Sequence, residues 1–121
     1  MMPPRLAAIA QGLCLLLYAA LCQAQPAPDG DSLRGKAAIE RYGCAACHVI
    51  PGIPNPHSKV APPLTKTGTR AYIAGVLANT PANMVRWLRD PPAVDPLTAM
   101  PDMGVTEQDA RDIAAYLYTL R

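Results

Sequence analysis

Prolines divide this chain into short segments that cannot join into long regular elements. Of its 14 prolines, five fall between residues 49 and 69 together with two glycines, and four more lie between residues 91 and 101. Each proline fixes its own φ and removes a backbone N–H donor, so neither stretch favours a continuous helix or a sheet ladder. A loop as long as the first is uncommon in a compact domain unless it has a use, such as wrapping a bound group.

Helical patterns occupy the segments between these loops, and no segment has a clear strand pattern. Thr80 is a suitable N-cap, with Pro81 at the favoured first helical position. Thr106 and Asp109 resemble a capping box before the last helix, where apolar residues recur at helical spacing. The sequence therefore predicts an all-α domain of three to four short helices. The helical segments are residues 31–47, 70–79, 80–90 and 107–121.

The apolar side chains of this chain are too few to form a secure core by themselves. The chain has 121 residues, one tryptophan and no phenylalanine. A small core cannot readily offset the conformational entropy of two long loops. Domains of this size usually contain a disulfide, a metal or another bound group, and we expect one here.

The first 24 residues have the pattern of a secretory signal peptide. Arg5 precedes an apolar run from residue 6 to residue 21, and Cys22 and Ala24 stand at the −3 and −1 positions of a cleavage site. The run is short for a transmembrane helix, although an uncleaved anchor has a similar pattern. We predict a signal peptide over residues 1–24, a flexible leader over 25–31 and one domain over 32–121, located in the periplasm.

Cleavage at this position leaves a nearly neutral chain with two cysteines. It removes Arg5, so ten basic residues face nine acidic ones. A net charge near +1 provides no basic surface for nucleic acid, and we predict no nucleic-acid partner. Cys44 and Cys47 remain, in the pentapeptide CAACH that ends at His48.

Several kinds of site place two thiols and an imidazole in five residues. A zinc site needs four ligands, and the predicted mature chain has no second cysteine pair. A redox dithiol expects a βαβ pattern, which is missing, and a structural disulfide would leave His48 without a role. C-x-x-C-H is also the signature of covalent haem attachment, in which the cysteines bond to the two vinyl groups of the porphyrin and the histidine binds iron. We therefore predict one covalently attached haem c.

Residues 33–120 resemble the cytochrome c family. The resemblance implies a small all-α cytochrome c fold whose short helices and Pro-rich loops wrap around one haem. Ala61 departs from the glycine that is usual in the family's G-P-x-L turn. Four stretches carry the resemblance in the family's order: GKAAIERYGCAACH at 35–48, APPL at 61–64, WLRDPPAVDPLTAMPDMG at 87–104 and DIAAYLYTL at 112–120.

The resemblance also implies a role for each matching residue around the first ligand. Cys44 and Cys47 would form the thioethers, and His48 would bind iron. The other ring nitrogen of His48 would donate to the carbonyl of Pro62, an arrangement that fixes the imidazole and strengthens the ligand. Leu64 would pack on the porphyrin.

Three further residues match positions around the haem in the family. Arg70 falls where an arginine lies near a haem propionate. Trp87 falls where an aromatic side chain lines the pocket beside the second ligand. Thr98 falls where a hydroxyl reaches a propionate.

Two methionines of the second loop are candidates for the second axial ligand. Met100 and Met103 both lie in TAMPDMG, and their residue types do not separate them. The resemblance favours Met100, because Pro91 matches the proline that ends the preceding helix and Met100 follows it by nine residues. The expected metal ligands are therefore His48 and Met100.

A histidine–methionine pair fills both axial positions, which leaves no site for O₂ or peroxide. We therefore expect one-electron transfer between a donor and an acceptor protein, by a soluble carrier or a small subunit of a respiratory complex, and no enzymatic activity. Contact with a membrane would come only through such a complex or an uncleaved anchor. If the methionine bond is labile, the alternative is a haem protein that binds gases or acts like a peroxidase.

Overall fold

A computed structural model of the protein describes residues 28–55 and 57–121. The predicted signal peptide, residues 1–24, and the first residues of the predicted leader lie outside this part. Within the described residues, no helix combines the length and the apolar character needed to cross a membrane.

The described residues form four α-helices, two 3₁₀ turns and one very small sheet. The sheet is a hairpin in which Tyr72 pairs with Ala78 and Ile73 with Leu77, antiparallel. The predicted all-α class is confirmed, since each strand has only two residues. The helices are α1 (Ser32–Arg41), α2 (Pro81–Arg89), α3 (Pro91–Val94) and α4 (Glu107–Thr119), the 3₁₀ turns are Cys44–Ala46 and Thr67–Thr69, and the strands are β1 (Tyr72–Ile73) and β2 (Leu77–Ala78).

A side-chain cap fixes where each of these helices begins, and Asp90 is the cap of the short α3. Asp31, Thr80 and Thr106 precede α1, α2 and α4, and each accepts a hydrogen bond from the backbone N–H three residues further on. These bonds satisfy N–H groups that have no partner within the helix. The caps at Thr80 and Thr106 agree with the sequence prediction.

Helices α1 and α4 cross at the centre of the fold. Ile39 and Ile113 are almost completely buried in this contact, and small residues beside them let the backbones approach. The approach is closest at Gly35, where an added Cβ would lie 1.9 Å from the carbonyl oxygen of Asp112. The core extends from this crossing to α2, whose Trp87 and Leu88 are also buried.

Two helix predictions were wrong in their extent or type. The first helix ends at Arg41 and not at residue 47, because Gly43 adopts φ 69°, a left-handed conformation that stops the helix. Residues 70–79 form the hairpin and not a helix. Ala74 and Gly75 have φ 50° and 77°, which reverse the chain between β1 and β2.

The last residues of the predicted leader contact α4. Asp29 forms an ion pair with Arg111 at 2.9 Å, and the N–H of Asp31 donates to the Asp112 carboxylate at 2.7 Å. Gly30 packs on the same helix, where its Cβ would lie 2.2 Å from the Arg111 carbonyl oxygen. The chain is thus in contact with α4 before α1 begins.

Candidate haem site

The pentapeptide CAACH forms a tight turn at the end of α1. Gly43 redirects the chain, and residues 44–46 then form a single 3₁₀ turn. The N–H groups of Cys47 and His48 both donate to the carbonyl oxygen of Cys44, at 3.2 and 3.0 Å. Both cysteines are free thiols; Cys44 is half-buried and Cys47 is exposed. We call residues 44–48 the attachment turn.

Burial raises the pKa of the Cys44 thiol above its usual range. The thiol is therefore neutral at physiological pH, and this intact thiol is available for thioether formation.

The imidazole of His48 is held through one nitrogen. Its Nδ1 lies 2.7 Å from the carbonyl oxygen of Pro62. A carbonyl can only accept a hydrogen bond, so Nδ1 carries the hydrogen and the lone pair is on Nε2. The hydrogen bond to Pro62 agrees with the sequence expectation, and Nε2 is the nitrogen suited to bind a metal.

The Pro-rich loop, residues 49–69, is hydrogen-bonded to backbone carbonyl groups of the attachment turn. The Asn55 amide donates to the Ala45 carbonyl oxygen at 2.6 Å, and the Ser58 hydroxyl donates to that of Cys47, also at 2.6 Å. The Ala61 N–H donates to the same Cys47 oxygen at 3.0 Å. Sequence reasoning missed Asn55 and Ser58; the only signal is that they are polar side chains among prolines, beside a turn whose carbonyls need donors.

The two candidate methionines have different environments. Met100 is half-buried and packs on the hydrophobic core, whereas Met103 is 41% exposed. The Thr98 hydroxyl accepts the Met100 N–H at 3.2 Å, which fixes the backbone at Met100. The geometry thus adds a physical reason to prefer Met100, which the sequence alone did not provide.

The three remaining residues expected to contact haem, Leu64, Trp87 and Arg70, differ in how deeply they are buried. Leu64 is half-buried against the core, and Trp87 is buried within it at 7% exposure. Arg70 is exposed, and its Nη2 donates to the carbonyl oxygens of Pro63 and Thr65 at 2.6 and 2.9 Å. Arginine has five N–H donors, so this pair of bonds leaves others for an anionic group.

The residues present fit a covalently attached haem. The attachment turn offers two free thiols and an imidazole whose Nε2 is suited to bind a metal. Three half-buried apolar side chains, Cys44, Leu64 and Met100, pack on one core. They come from the attachment turn, the Pro-rich loop and the loop between α3 and α4, residues 95–106, which we call the methionine loop. This combination provides apolar contacts for a porphyrin, together with the nitrogen and sulfur ligands that haem iron accepts.

Comparison with known proteins places the chain in a family. The profile of the family described as Cytochrome c matches residues 32–121. The chain is 33% identical over 91 residues to cytochrome c oxidase subunit 2 of Alkalihalophilus pseudofirmus, and 32% identical over 88 residues to the protein of that name in Bacillus sp. strain PS3. These matches cover 73% and 69% of this chain but 25% of each relative, so the chain spans about a quarter of their length. Since the profile covers most of the chain and includes the attachment turn, this protein belongs to the cytochrome c family, whose cofactor is covalently bound haem c.

Proposed function

We propose that this protein is a periplasmic monohaem cytochrome that transfers single electrons between protein partners, without enzymatic activity of its own. The observation that carries the proposal is the hydrogen bond from His48 Nδ1 to Pro62, which leaves Nε2 as the ligand nitrogen beside two free thiols. Cys44 and Cys47 hold the cofactor covalently, and His48 and Met100 provide the axial ligands.

Haem iron ligated by histidine and methionine supplies a one-electron couple at a raised potential. The chain's own residues keep both ligands in place. Pro62 orients His48, and the bond between Thr98 and Met100 fixes the backbone that carries the sulfur. Arg70 and Thr98 are the residues we propose to bind the propionates.

The relatives favour a respiratory setting for this electron transfer. Both are called cytochrome c oxidase subunit 2, and this chain matches a quarter of each. We propose that the partners are redox proteins of a respiratory chain, with this protein as a soluble carrier or a small subunit of a complex.

Absorption spectra of the purified haem protein test the ligand assignment. Ferric iron bound to a thioether sulfur has a weak long-wavelength band. Met100→Ala should abolish this band and lower the reduction potential, whereas the matched variant Met103→Ala should retain both. Loss of the band in Met103→Ala alone would identify Met103, and not Met100, as the ligand.

Carbon monoxide added to the reduced protein separates electron transfer from gas binding. A protein with two firmly held axial ligands should bind carbon monoxide only slowly or weakly without denaturant. Rapid, tight binding to the native protein would instead support the gas-binding or peroxidase-like alternative.

A further inference from the structure

Tyr42 connects two segments that are distant in the sequence. It follows the last residue of α1 and lies two residues before Cys44. Its hydroxyl donates to the carboxylate of Asp109 at 2.7 Å, and the N–H of Thr106 donates to the same hydroxyl oxygen at 3.4 Å. Its half-buried ring packs on the core. A single side chain is therefore bonded to the residue that ends the methionine loop and to the first turn of α4.

Asp109 holds the Tyr42 hydroxyl through a network of bonds. Its carboxylate also accepts from Arg41 at 2.7 Å and from the Thr106 hydroxyl at 2.9 Å, and its N–H donates to that hydroxyl at 3.1 Å. The hydrogen bond from Tyr42 is the largest of the causes that lower the pKa of Asp109. The carboxylate is thus ionised at neutral pH and is a strong acceptor.

This network joins the segments that carry both proposed axial ligands. His48 lies six residues after Tyr42, through the attachment turn, and Met100 lies six residues before Thr106. Between Met100 and Thr106 the chain bends at Gly104, whose φ is 67°, and is then fixed by the buried Val105. Tyr42 is hydrogen-bonded to Thr106, at the C-terminal end of this segment.

We infer that Tyr42 is a positioning residue whose hydroxyl fixes the methionine loop relative to the attachment turn, and thereby determines how firmly Met100 holds iron. The inference rests on the proposed ligation by Met100. Tyr42 itself is not a ligand, and its effect passes through Thr106 and Asp109.

Competition with imidazole measures how firmly the methionine is held. Added imidazole replaces Met100 only if the loop moves aside, so a loop with fewer anchors gives a smaller apparent dissociation constant. Loss of the net stabilisation that one hydrogen bond typically provides should tighten imidazole binding to the ferric protein about fivefold. Tyr42→Phe removes this hydroxyl and keeps the ring in the core.

Tyr118→Phe is the matched control. Tyr118 is also half-buried, and its hydroxyl donates to Asn79 at 2.8 Å, a bond only 0.1 Å longer than that from Tyr42 to Asp109. It connects α4 to the end of the hairpin and not to the methionine loop. Both variants should lower the thermal midpoint, but Tyr118→Phe should leave the imidazole dissociation constant within about twofold of the wild type, less than one hydrogen bond is worth.

Two results would overturn the inference and leave ligation by Met100 intact. One is an unchanged imidazole affinity in Tyr42→Phe, and the other is an equal change in both variants, which would show only a general loss of stability. If the ferric wild-type protein lacks the weak long-wavelength band of methionine-bound iron, ligation by Met100 is refuted and this inference with it. That failure differs visibly from the first two, in which the wild-type band is present.

Discussion

Replacement of Gly35 by alanine tests the helix crossing on which the fold depends. The new Cβ would lie 1.9 Å from the Asp112 carbonyl oxygen and 2.5 Å from its carbon, far inside van der Waals contact, and the obstacle is backbone that cannot rotate away. Overpacking of this kind costs about 3 kcal/mol at the upper end of its usual range, while the better helix propensity of alanine returns about 1 kcal/mol. We therefore expect a net loss of about 2 kcal/mol in the free energy of unfolding.

Thermal unfolding of the haem protein, followed by circular dichroism, measures this loss. A change of 1 kcal/mol shifts the midpoint of a domain this small by about 4–8 °C, so Gly35→Ala should lower it by about 8–16 °C. Ala37→Gly is the control, because Ala37 is exposed on the same helix and its replacement should cost only the propensity difference of about 1 kcal/mol. A midpoint for Gly35→Ala at or above the wild-type value would show that α1 and α4 separate without cost, and would refute the reasoning.

Two further predictions concern the buried carboxylate and the attachment turn. Asp112 is 2% exposed, and hydrogen bonding from Arg34 is the main cause of its lowered pKa. Its ionised form therefore stabilises the fold at neutral pH, and this contribution is lost as the pH falls below about 4 through the folded-state pKa. In thermal melts, wild-type protein should exceed Asp112→Asn in stability at pH 7, and the difference should shrink below about pH 4; a constant difference would contradict this. Cys44→Ala and Cys47→Ala should each lose one thioether, and the double variant should carry no covalent haem. Mass spectrometry checks this, and a wild-type mass equal to the bare polypeptide, after export with an active attachment system, would contradict it.

The parts of the fold that local chemistry determines could be predicted from the sequence. The caps at Thr80 and Thr106 need only a side-chain oxygen and a backbone N–H three residues away. The attachment turn is similarly local, because the spacing from Cys44 to His48 already identifies its chemistry. The bond from His48 to Pro62 spans 14 residues, and it was expected only because the chain resembles a known family.

The parts that depend on distant partners could not be predicted. Residues 70–79 contain good helix formers, yet they form a hairpin. Asn79 is buried there, donates to the carbonyl oxygens of Thr67 and Arg70, and accepts from Tyr118, 39 residues away. The bonds from Tyr42 to Asp109 and Thr106 likewise span more than 60 residues. Such contacts override local propensity and leave no periodic pattern in the sequence.

The crossing of α1 and α4 also has a consequence for the order of events during folding. Gly35 and Asp112 are in contact although most of the domain's sequence lies between them. The loop that they enclose must close before this contact forms, and contacts between residues so distant in sequence form slowly. Cys44 and Cys47 lie near the N-terminal end of this loop, within ten residues of the end of α1. When the chain is synthesised or exported from its N-terminus, both thiols emerge well before Asp112 is available to complete the crossing. The attachment turn is therefore exposed on an unfolded chain during an interval whose length is set by the chain between the two helices.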